Sequence, residues 1–246
     1  MKILVCISNV PDTTSKINFT ADNAAFDTNG IQFVINPYDE FGLTKAVKLR
    51  EKNGGTVTVA HVGSATSEPT LRKALAIGAD DAIRVDAEAT DSFFVATELA
   101  AIAKDFDLVI TGRESIDYNG GAVPGMMAEI LGTGFVNGCT GLNIEGTNTT
   151  AEREIEGGKE SMTANLPLVV AGQKGLVEES ELLIPNMRGI MTARTKPLNV
   201  VAPTSTDNRS ASVSFEKPAE KAACKLVDAG NEAELVALLH NEAKAI

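Results

Sequence analysis

Asp107-Leu-Val-Ile-Thr-Gly-Arg-Glu-Ser-Ile-Asp-Tyr-Asn-Gly-Gly-Ala-Val-Pro-Gly125 runs from a short apolar stretch through a polar, glycine-rich loop into the apolar segment Met126-Met-Ala-Glu-Ile-Leu131. A buried strand that passes through a loop into a helix leaves unpaired N–H groups and the positive end of the helix dipole at the loop mouth. That arrangement suits an anion such as a nucleotide phosphate. Glycines at 112, 120, 121 and 125 let the backbone approach a ligand where a Cβ would clash. The stretch carries neither a GxxxxGK[ST] nor a GxGxxG pattern, so it is no ordinary NTPase or dinucleotide fingerprint. Taken alone it reads either as a nucleotide or phosphate site or as a plain strand–helix connection.

Working outward, apolar runs rich in β-branched residues alternate with helical patterns. Lys2-Ile-Leu-Val-Cys-Ile7 predicts a first strand, and Ile31-Gln-Phe-Val-Ile35 a short extended piece after a hairpin excursion over 15–30, with Asn29-Gly30 as its turn. Pro37 precedes a helix over about 39–52. A strand over 56–62, a helix over 68–77 stopped by Gly78, a strand over 82–85 and a helix over 90–104 follow. That last helix is expected to turn Phe93, Phe94, Leu99 and Ile102 inward. Strands separated by helices of this length predict a doubly wound, mostly parallel sheet with right-handed crossovers. Ligands of such sheets bind beyond the carboxyl ends of the strands, here residues 6–11, 62–63 and the 111–125 loop.

Beyond residue 135 the pattern changes. Residues 149–156 and 160–165 flank Gly157-Gly158, a hairpin signal. Leu166-Pro-Leu-Val-Val-Ala171 reads as a buried strand, 186–193 as a short helical segment and 198–202 as a last core strand. Residues 203–214 are polar and read as an arm or linker. A closing helix has Asn231 as N-cap, Glu234 completing a capping box, and Leu235, Leu238 and Leu239 on one face. We therefore expect a nucleotide-binding α/β domain over 1–202 and a C-terminal arm and helix over 203–246. That helix packs either on another subunit or back on its own domain.

The 246 residues suffice for a sizeable core, and the hydrophobic and charged fractions, 43% and 22%, are those of an ordinary globular protein. A net charge of −11 argues against nucleic-acid binding and against anionic membrane surfaces. No apolar run approaches the roughly 18–20 residues of a membrane span. The three scattered cysteines, Cys6, Cys139 and Cys224, suggest neither disulfides nor zinc, and a reduced, bacterial cytoplasmic setting fits them best. With two histidines a His-based metal centre is not expected.

Six segments in register resemble the small (beta) subunit of electron transfer flavoprotein. They are Lys2-Ile-Leu-Val-Cys6 with Val10-Pro-Asp12; Asn36-Pro-Tyr-Asp-Glu40; Leu71-Arg-Lys-Ala-Leu-Ala-Ile-Gly-Ala-Asp80; the 107–117 stretch; Arg153-Glu-Ile-Glu-Gly-Gly-Lys-Glu160 leading to Leu166-Pro-Leu-Val-Val170; and Ile184-Pro-Asn186 through Gly189-Ile-Met-Thr-Ala-Arg-Thr-Lys-Pro-Leu198. The resemblance implies an adenine nucleotide alpha hydrolase-like (Rossmann-like) fold and a heterodimer. In that heterodimer the large (alpha) subunit holds or shares FAD, and this chain holds AMP. It further implies electron flow from acyl-CoA or other flavin dehydrogenases to electron transfer flavoprotein-quinone oxidoreductase, with no catalytic residue in this chain. The AMP contacts carried over are Cys6, Asn36, Pro37, Tyr38, Asp39, Val62 and the run Gly112, Arg113, Glu114, Ser115, Ile116, Asp117, Tyr118, Asn119, Gly120, Gly121, Ala122, Val123.

Side-chain roles at these positions stay open. Asn36 could read the adenine edge; Arg113 adds charge at the phosphate or is a paired surface arginine; Asp117 accepts a ribose hydroxyl or caps the next turn; Tyr38 lies by the flavin or is a core aromatic. Where family loops carry acidic residues or threonine and a glutamine, this chain has Tyr118-Asn-Gly-Gly-Ala122, which shifts weight to backbone contacts. In the family the loop before Gly189 presents an apolar anchor to the dehydrogenase, here Ile184 or Met187. Two other functions share the pattern: a bifurcating subunit with a second FAD that accepts hydride from NADH, and an adenine-nucleotide sensor resembling universal stress proteins.

Overall fold

The computed structural model describes residues 1–89, 91–221 and 223–246. Its centre is a sheet of nine strands built around β1 (Lys2–Cys6). On one side β1 pairs in parallel with β4 (Thr56–Val62), followed by β5 (Asp81–Val85) and β11 (Leu198–Val201). On the other it pairs in parallel with β6 (Leu108–Gly112), followed by β10 (Leu168–Gly172), β7 (Gly134–Glu145), β8 (Asn148–Ile155) and β9 (Gly158–Asn165). The pairs β7–β8 and β8–β9 are antiparallel. The doubly wound, mostly parallel expectation holds, and the predicted hairpin about Gly157-Gly158 extends one end of this same sheet.

Both faces are covered, as a parallel sheet requires. Alternate residues of β1 serve opposite cores. Ile3 and Val5 join Leu43 and Val47 of α1 (Pro37–Asn53) and Leu71 and Leu75 of α2 (Glu68–Ile77). Leu4 and Cys6 join Phe94 and Leu99 of α3 (Ser92–Ala103) and Met127 of α4 (Val123–Leu131). A near-continuous apolar run in sequence is therefore two faces interleaved at period two. α5 (Met187–Ala193) lies against α2, and at Gly189 a Cβ would run into the carbonyl oxygen of Ala76. Among the described residues no helix is long and apolar enough to cross a membrane.

Several local expectations change. α1 starts at Pro37, two residues earlier than the pattern suggested, because proline at the first helical position loses no hydrogen bond. The expected start of α3 at Thr90 lies outside the described residues; the helix is capped by Asp91, whose Oδ1 accepts from the Phe94 N–H at 2.7 Å. Within 15–30 the chain folds back at residues 20–25, with Phe19 bridging Phe26, and Asn29-Gly30 forms a separate turn after it. The enclosing pair is β2 (Asn9–Pro11) with β3 (Phe33–Ile35). β7 was not foreseen. Its inward residues Val136, Cys139, Leu142 and Ile144 change parity twice, where the ladder to β10 shifts between Val136 and Cys139 and where that to β8 shifts between Cys139 and Gly141, and irregularities of this kind erase simple alternation. β11 is an edge strand with Val200 half exposed, not a core strand.

The start of the arm is tied to its own domain. Glu98 of α3, 1% exposed, accepts hydrogen bonds from Thr204 N–H at 2.8 Å, Thr204 Oγ1 at 2.9 Å and Ser205 N–H at 2.7 Å. Asp91 receives the N–H groups of Arg209 and Ser210, and the Arg209 guanidinium lies 4.4 Å from the centre of the Phe93 ring. Phe93 is accordingly half-buried under the arm instead of turned into the core. Further on, Phe215 stacks on Phe19. In α6 (Glu232–Asn241) the expected capping box is replaced by a side-chain bond from Asn231 Nδ2 to Glu234 Oε2, and no residue of that helix is buried.

Glu98→Ala leaves three arm donors without their buried acceptor. Its expected cost is about 2–4 kcal/mol in urea unfolding, together with faster proteolytic cleavage within 203–210. Unchanged stability and cleavage would show that the arm is held by other contacts.

Candidate functional site

The connections that leave β1 and β6 cross opposite faces of the sheet, so a crevice opens between their carboxyl ends. Asp39, in the first turn of α1, closes its floor. Its side chain is 2% exposed; Oδ2 accepts the Ser8 N–H at 2.7 Å and Oδ1 the Gly112 N–H at 2.7 Å. Burial raises its pKa to about 7, against the opposing pull of these hydrogen bonds, and the charge of Asp117 adds to the rise. Cys6 lies beneath it, buried, its thiol pushed well up by burial first and by Asp39 second.

Asn36 is committed to the loop. Its Nδ2 donates to the Glu114 carbonyl at 2.8 Å and its Oδ1 accepts the Ile116 N–H at 3.3 Å, while its own N–H bonds the Ser8 carbonyl at 3.0 Å. The side chain is fully buried, so it holds the loop in place and is not free to read a base edge. Gly112 sits where Asn36, Tyr38 and Asp39 converge. A Cβ there would lie 2.7 Å from Tyr38 Cβ and 3.0 Å from Asn36 Nδ2, and would overlap Asp39 Oδ1. Glycine is required by this close approach, not by a positive φ.

The loop itself is a small hairpin. Ser115 and Gly120 exchange backbone bonds of 2.9 and 3.2 Å, Asn119 takes a φ of 52°, and Asp117 Oδ1 accepts the Tyr118 N–H at 2.9 Å. Asp117 therefore caps the turn, one of its two expected roles. Tyr118 projects outward, 68% exposed. The chain then enters α4 at Val123, three residues ahead of the expected start, with Pro124 in its first turn and no side-chain cap from Ala122. None of the bonds that tie the loop among the described residues uses the N–H groups of Gly121, Ala122 or Val123. At Gly120 a Cβ would meet nothing, and at Gly121 the Arg113 carbonyl at 3.2 Å and Glu114 Cβ at 4.0 Å, so an anion can approach this edge closely.

The third wall is the end of β4. Val62 is buried, and His61 Nδ1 donates to the Ile7 carbonyl at 2.8 Å; burial holds this imidazole below its ordinary pKa, favouring the neutral ring. Arg84, 4% exposed at its side chain, donates to the Gly63 carbonyl at 2.8 Å and pairs with Asp86 and Glu68. Ser8, His61 and Arg84 escaped the sequence reading. Ser8 acts through its backbone alone, and Arg84 looks like any strand residue until β4 and β5 are laid side by side.

Arg113 faces the other side of the loop. It pairs with Glu114 at 2.9 Å, reaches Gln173 Oε1 at 3.3 Å and lies 5.4 Å from the centre of the Tyr38 ring. Tyr38 and Arg113 thus belong to a separate open cleft shared with Glu154, Gln173, Lys174, Val177 and Glu178. The predicted residues fall into two groups. Cys6, Asn36, Asp39, Val62 and 112–123 converge at the crevice, with Pro37 starting the helix that carries Asp39. Tyr38 and the Arg113 side chain look away from it. Ile184 and Met187 are 81% and 76% exposed, and with Met191 they leave an apolar rim on and before α5. Among the described residues no group of three or more His, Cys, Asp or Glu is placed to hold a metal.

Residues 24–206 match the family model described as Electron transfer flavoprotein domain. Along its full length the chain is similar to the electron transfer flavoprotein subunit beta of Bacillus subtilis (strain 168), 35% identical over 262 residues with all of both chains covered. The subunit beta of Syntrophomonas wolfei is 35% identical over 227 residues, 91% of this chain and 88% of the relative. That of Bradyrhizobium diazoefficiens is 32% identical over 252 residues, 99% of each.

Asp39 makes a pH signature. Its pKa in the fold, about 7, lies above the ordinary 3.8, so the folded state holds this proton more tightly than the unfolded chain. The stabilisation from this group is complete below about pH 4 and is lost as pH rises through about 7. The stability difference between wild type and Asp39→Asn, measured by denaturant unfolding across that window, is expected to shift steadily against the wild type as pH rises. A flat difference would place the Asp39 pKa near its ordinary value.

Proposed function

We propose a function that proceeds from one premise: this chain belongs to the electron transfer flavoprotein family, as a small (beta) subunit. In the heterodimer with its large subunit it holds AMP in the crevice between β1, β4 and β6 and helps surround an FAD that the large subunit holds or shares. Electrons reach that flavin from acyl-CoA or other flavin dehydrogenases and leave toward a quinone oxidoreductase, in a bacterial cytoplasmic setting. The observation that carries the AMP assignment is the loop edge at 121–123, where three backbone N–H groups at the start of α4 are given no bond among the described residues and stand beside two glycines without a Cβ.

FAD supplies the redox chemistry when bound, and this chain's residues bind and orient. Asn36 and Asp39 hold the crevice walls, and the N-terminus of α4 favours a phosphate by its dipole. Tyr38 and Arg113, in their own open cleft, are suited to a flavin edge: the ring offers a flat face and the guanidinium a fixed positive charge. The apolar rim of Ile184 and Met187 is the proposed dehydrogenase contact. The arm beyond its anchors at Glu98 and Asp91, with the unburied stripe of α6, is proposed to pack on the large subunit.

Co-expression with the large subunit, followed by denaturation and quantification of released nucleotides, tests the assignment. One FAD and one AMP per heterodimer are expected. Two FAD without AMP would replace it by the bifurcating reading, and a homodimer that binds ATP by the sensor reading. Gly121→Val overfills the loop against the Arg113 carbonyl and should release AMP, while FAD remains; retained AMP would refute the phosphate position. Ile184→Glu or Met187→Glu should slow reduction by the dehydrogenase at least about tenfold with FAD content unchanged, since buried anchors dominate such contacts. Unaltered rates would remove that residue as the anchor.

A further inference from the structure

The parallel ladder between β1 and β4 stops one bond short. Ile7 N–H donates to the Ala60 carbonyl at 2.9 Å, so the next bond in register would run from Val62 N–H to the Ile7 carbonyl. That carbonyl is taken instead by the intervening side chain, His61, whose Nδ1 donates to it at 2.8 Å. On the other side of β4 the ladder continues. Gly63 N–H donates to the Val85 carbonyl at 3.0 Å, and this register turns the polar groups of Val62 away from β5, toward the end of β1 and the crevice. Val62 is 3% exposed, and among the described residues its N–H and carbonyl are given no partner. Buried backbone groups nearly always find one, so a donor and an acceptor left open together at a crevice mark a ligand edge.

We propose that His61 is a positioning residue of the crevice: by holding the Ile7 carbonyl it keeps the Val62 N–H and carbonyl open as a donor–acceptor pair for the edge of an adenine base. This inference rests on the nucleotide reading above and adds the residue that prepares the base edge, a task for which the Asn36 side chain, spent on the loop, is not free. The His61 ring is fixed at both ends. Its Nδ1 must carry the proton, because its partner is a carbonyl, and burial with the nearby Arg84 charge favours the neutral ring. At Gly63 a Cβ would overlap His61 Nε2, so only glycine lets the backbone pass this close to the ring. Arg84, 4% exposed at its side chain, then holds the Gly63 carbonyl at 2.8 Å. The backbone at 61–63 is thus set by side chains on either side of Val62 in sequence and contact, while Val62 itself spends nothing on them. Adenine carries an acceptor at N1 beside a donor at N6, which matches an N–H next to a carbonyl; hypoxanthine reverses both.

The test uses the heterodimer freed of nucleotide, with affinities measured calorimetrically for AMP, IMP and ribose 5-phosphate. Wild type should prefer AMP over IMP by at least about tenfold, since a mismatched base leaves the Val62 pair unsatisfied. His61→Leu removes the donor and frees the Ile7 carbonyl for the Val62 N–H. The AMP preference should then fall by about tenfold with ribose 5-phosphate binding unchanged, whereas a merely structural loss would weaken all three ligands together. His61→Asn, whose amide can still donate to the Ile7 carbonyl, should restore the preference. No preference in wild type, an unchanged ratio in His61→Leu, a common weakening of all three ligands, or equal loss in both variants would overturn the proposal. A second measurement needs no variant: AMP should slow amide hydrogen exchange at Val62 in wild type and ribose 5-phosphate should not, and equal effects of the two would overturn it. If wild type bound neither AMP nor IMP, the nucleotide reading itself would fall; if it bound AMP and failed only these comparisons, the role of His61 alone would fall.

Discussion

One carboxylate joins the parts of this molecule that matter most for its site. Asp39 lies in the first turn of α1, yet its two oxygens bond the backbone after β1 and the last residue of β6. Those strands are neighbours in the centre of the sheet but 100 residues apart in the chain, so the bond pair sets how far their ends stand from each other. Burying an acid costs free energy unless its oxygens are satisfied, and here each finds a backbone N–H at 2.7 Å. The rise of its pKa to about 7 measures what remains of that cost. Asn36, three residues earlier, does the same for the loop beyond β6. Together they turn the start of α1 into the frame on which the candidate nucleotide edge is hung.

The same economy governs the loop. Much of the polar backbone from 112 to 120 is spent internally: Gly112 on Asp39, Arg113 on Gly172, Ser115 on Gly120, Ile116 on Asn36, Tyr118 on Asp117. Three consecutive donors to which no bond is given among the described residues lie at 121–123, where glycine and a helix start coincide. The phosphate proposed for this edge would be held through backbone geometry more than through side chains, so the proposal does not depend on the side chains of the unusual Tyr118-Asn-Gly-Gly-Ala122 segment.

At the other end of the chain a second buried acid, Glu98, fastens the arm. The polar composition of 203–214 suggested an arm or linker, and polar residues also serve as donors. Thr204 and Ser205 find their acceptor on α3, and Arg209 finds the Phe93 ring. Beyond this latch Phe215 still stacks on Phe19, and the apolar stripe of α6 is unburied. An arm held at its root and open at its tip has a defined point of departure toward a partner.

Much was legible in the residues alone. Strand and helix alternation through residue 112, the hairpin about Gly157-Gly158 and the six segments of family resemblance led to the doubly wound sheet and to the family, because hydrophobic period and glycine position are local properties. What failed was what depends on neighbours. β7 was hidden by register shifts in its ladders to both β10 and β8, and the edge position of β11 follows from strand order. The roles of Asn36 and Arg113 were left open by their residue types and decided by which loop face each one meets. Asp39 shows the division most plainly. Its place just after Asn-Pro at a helix start is written in the sequence. That it is buried, carries a raised pKa and holds two distant strand ends follows only from the fold, since hydrogen bonds across a sheet do not follow sequence distance.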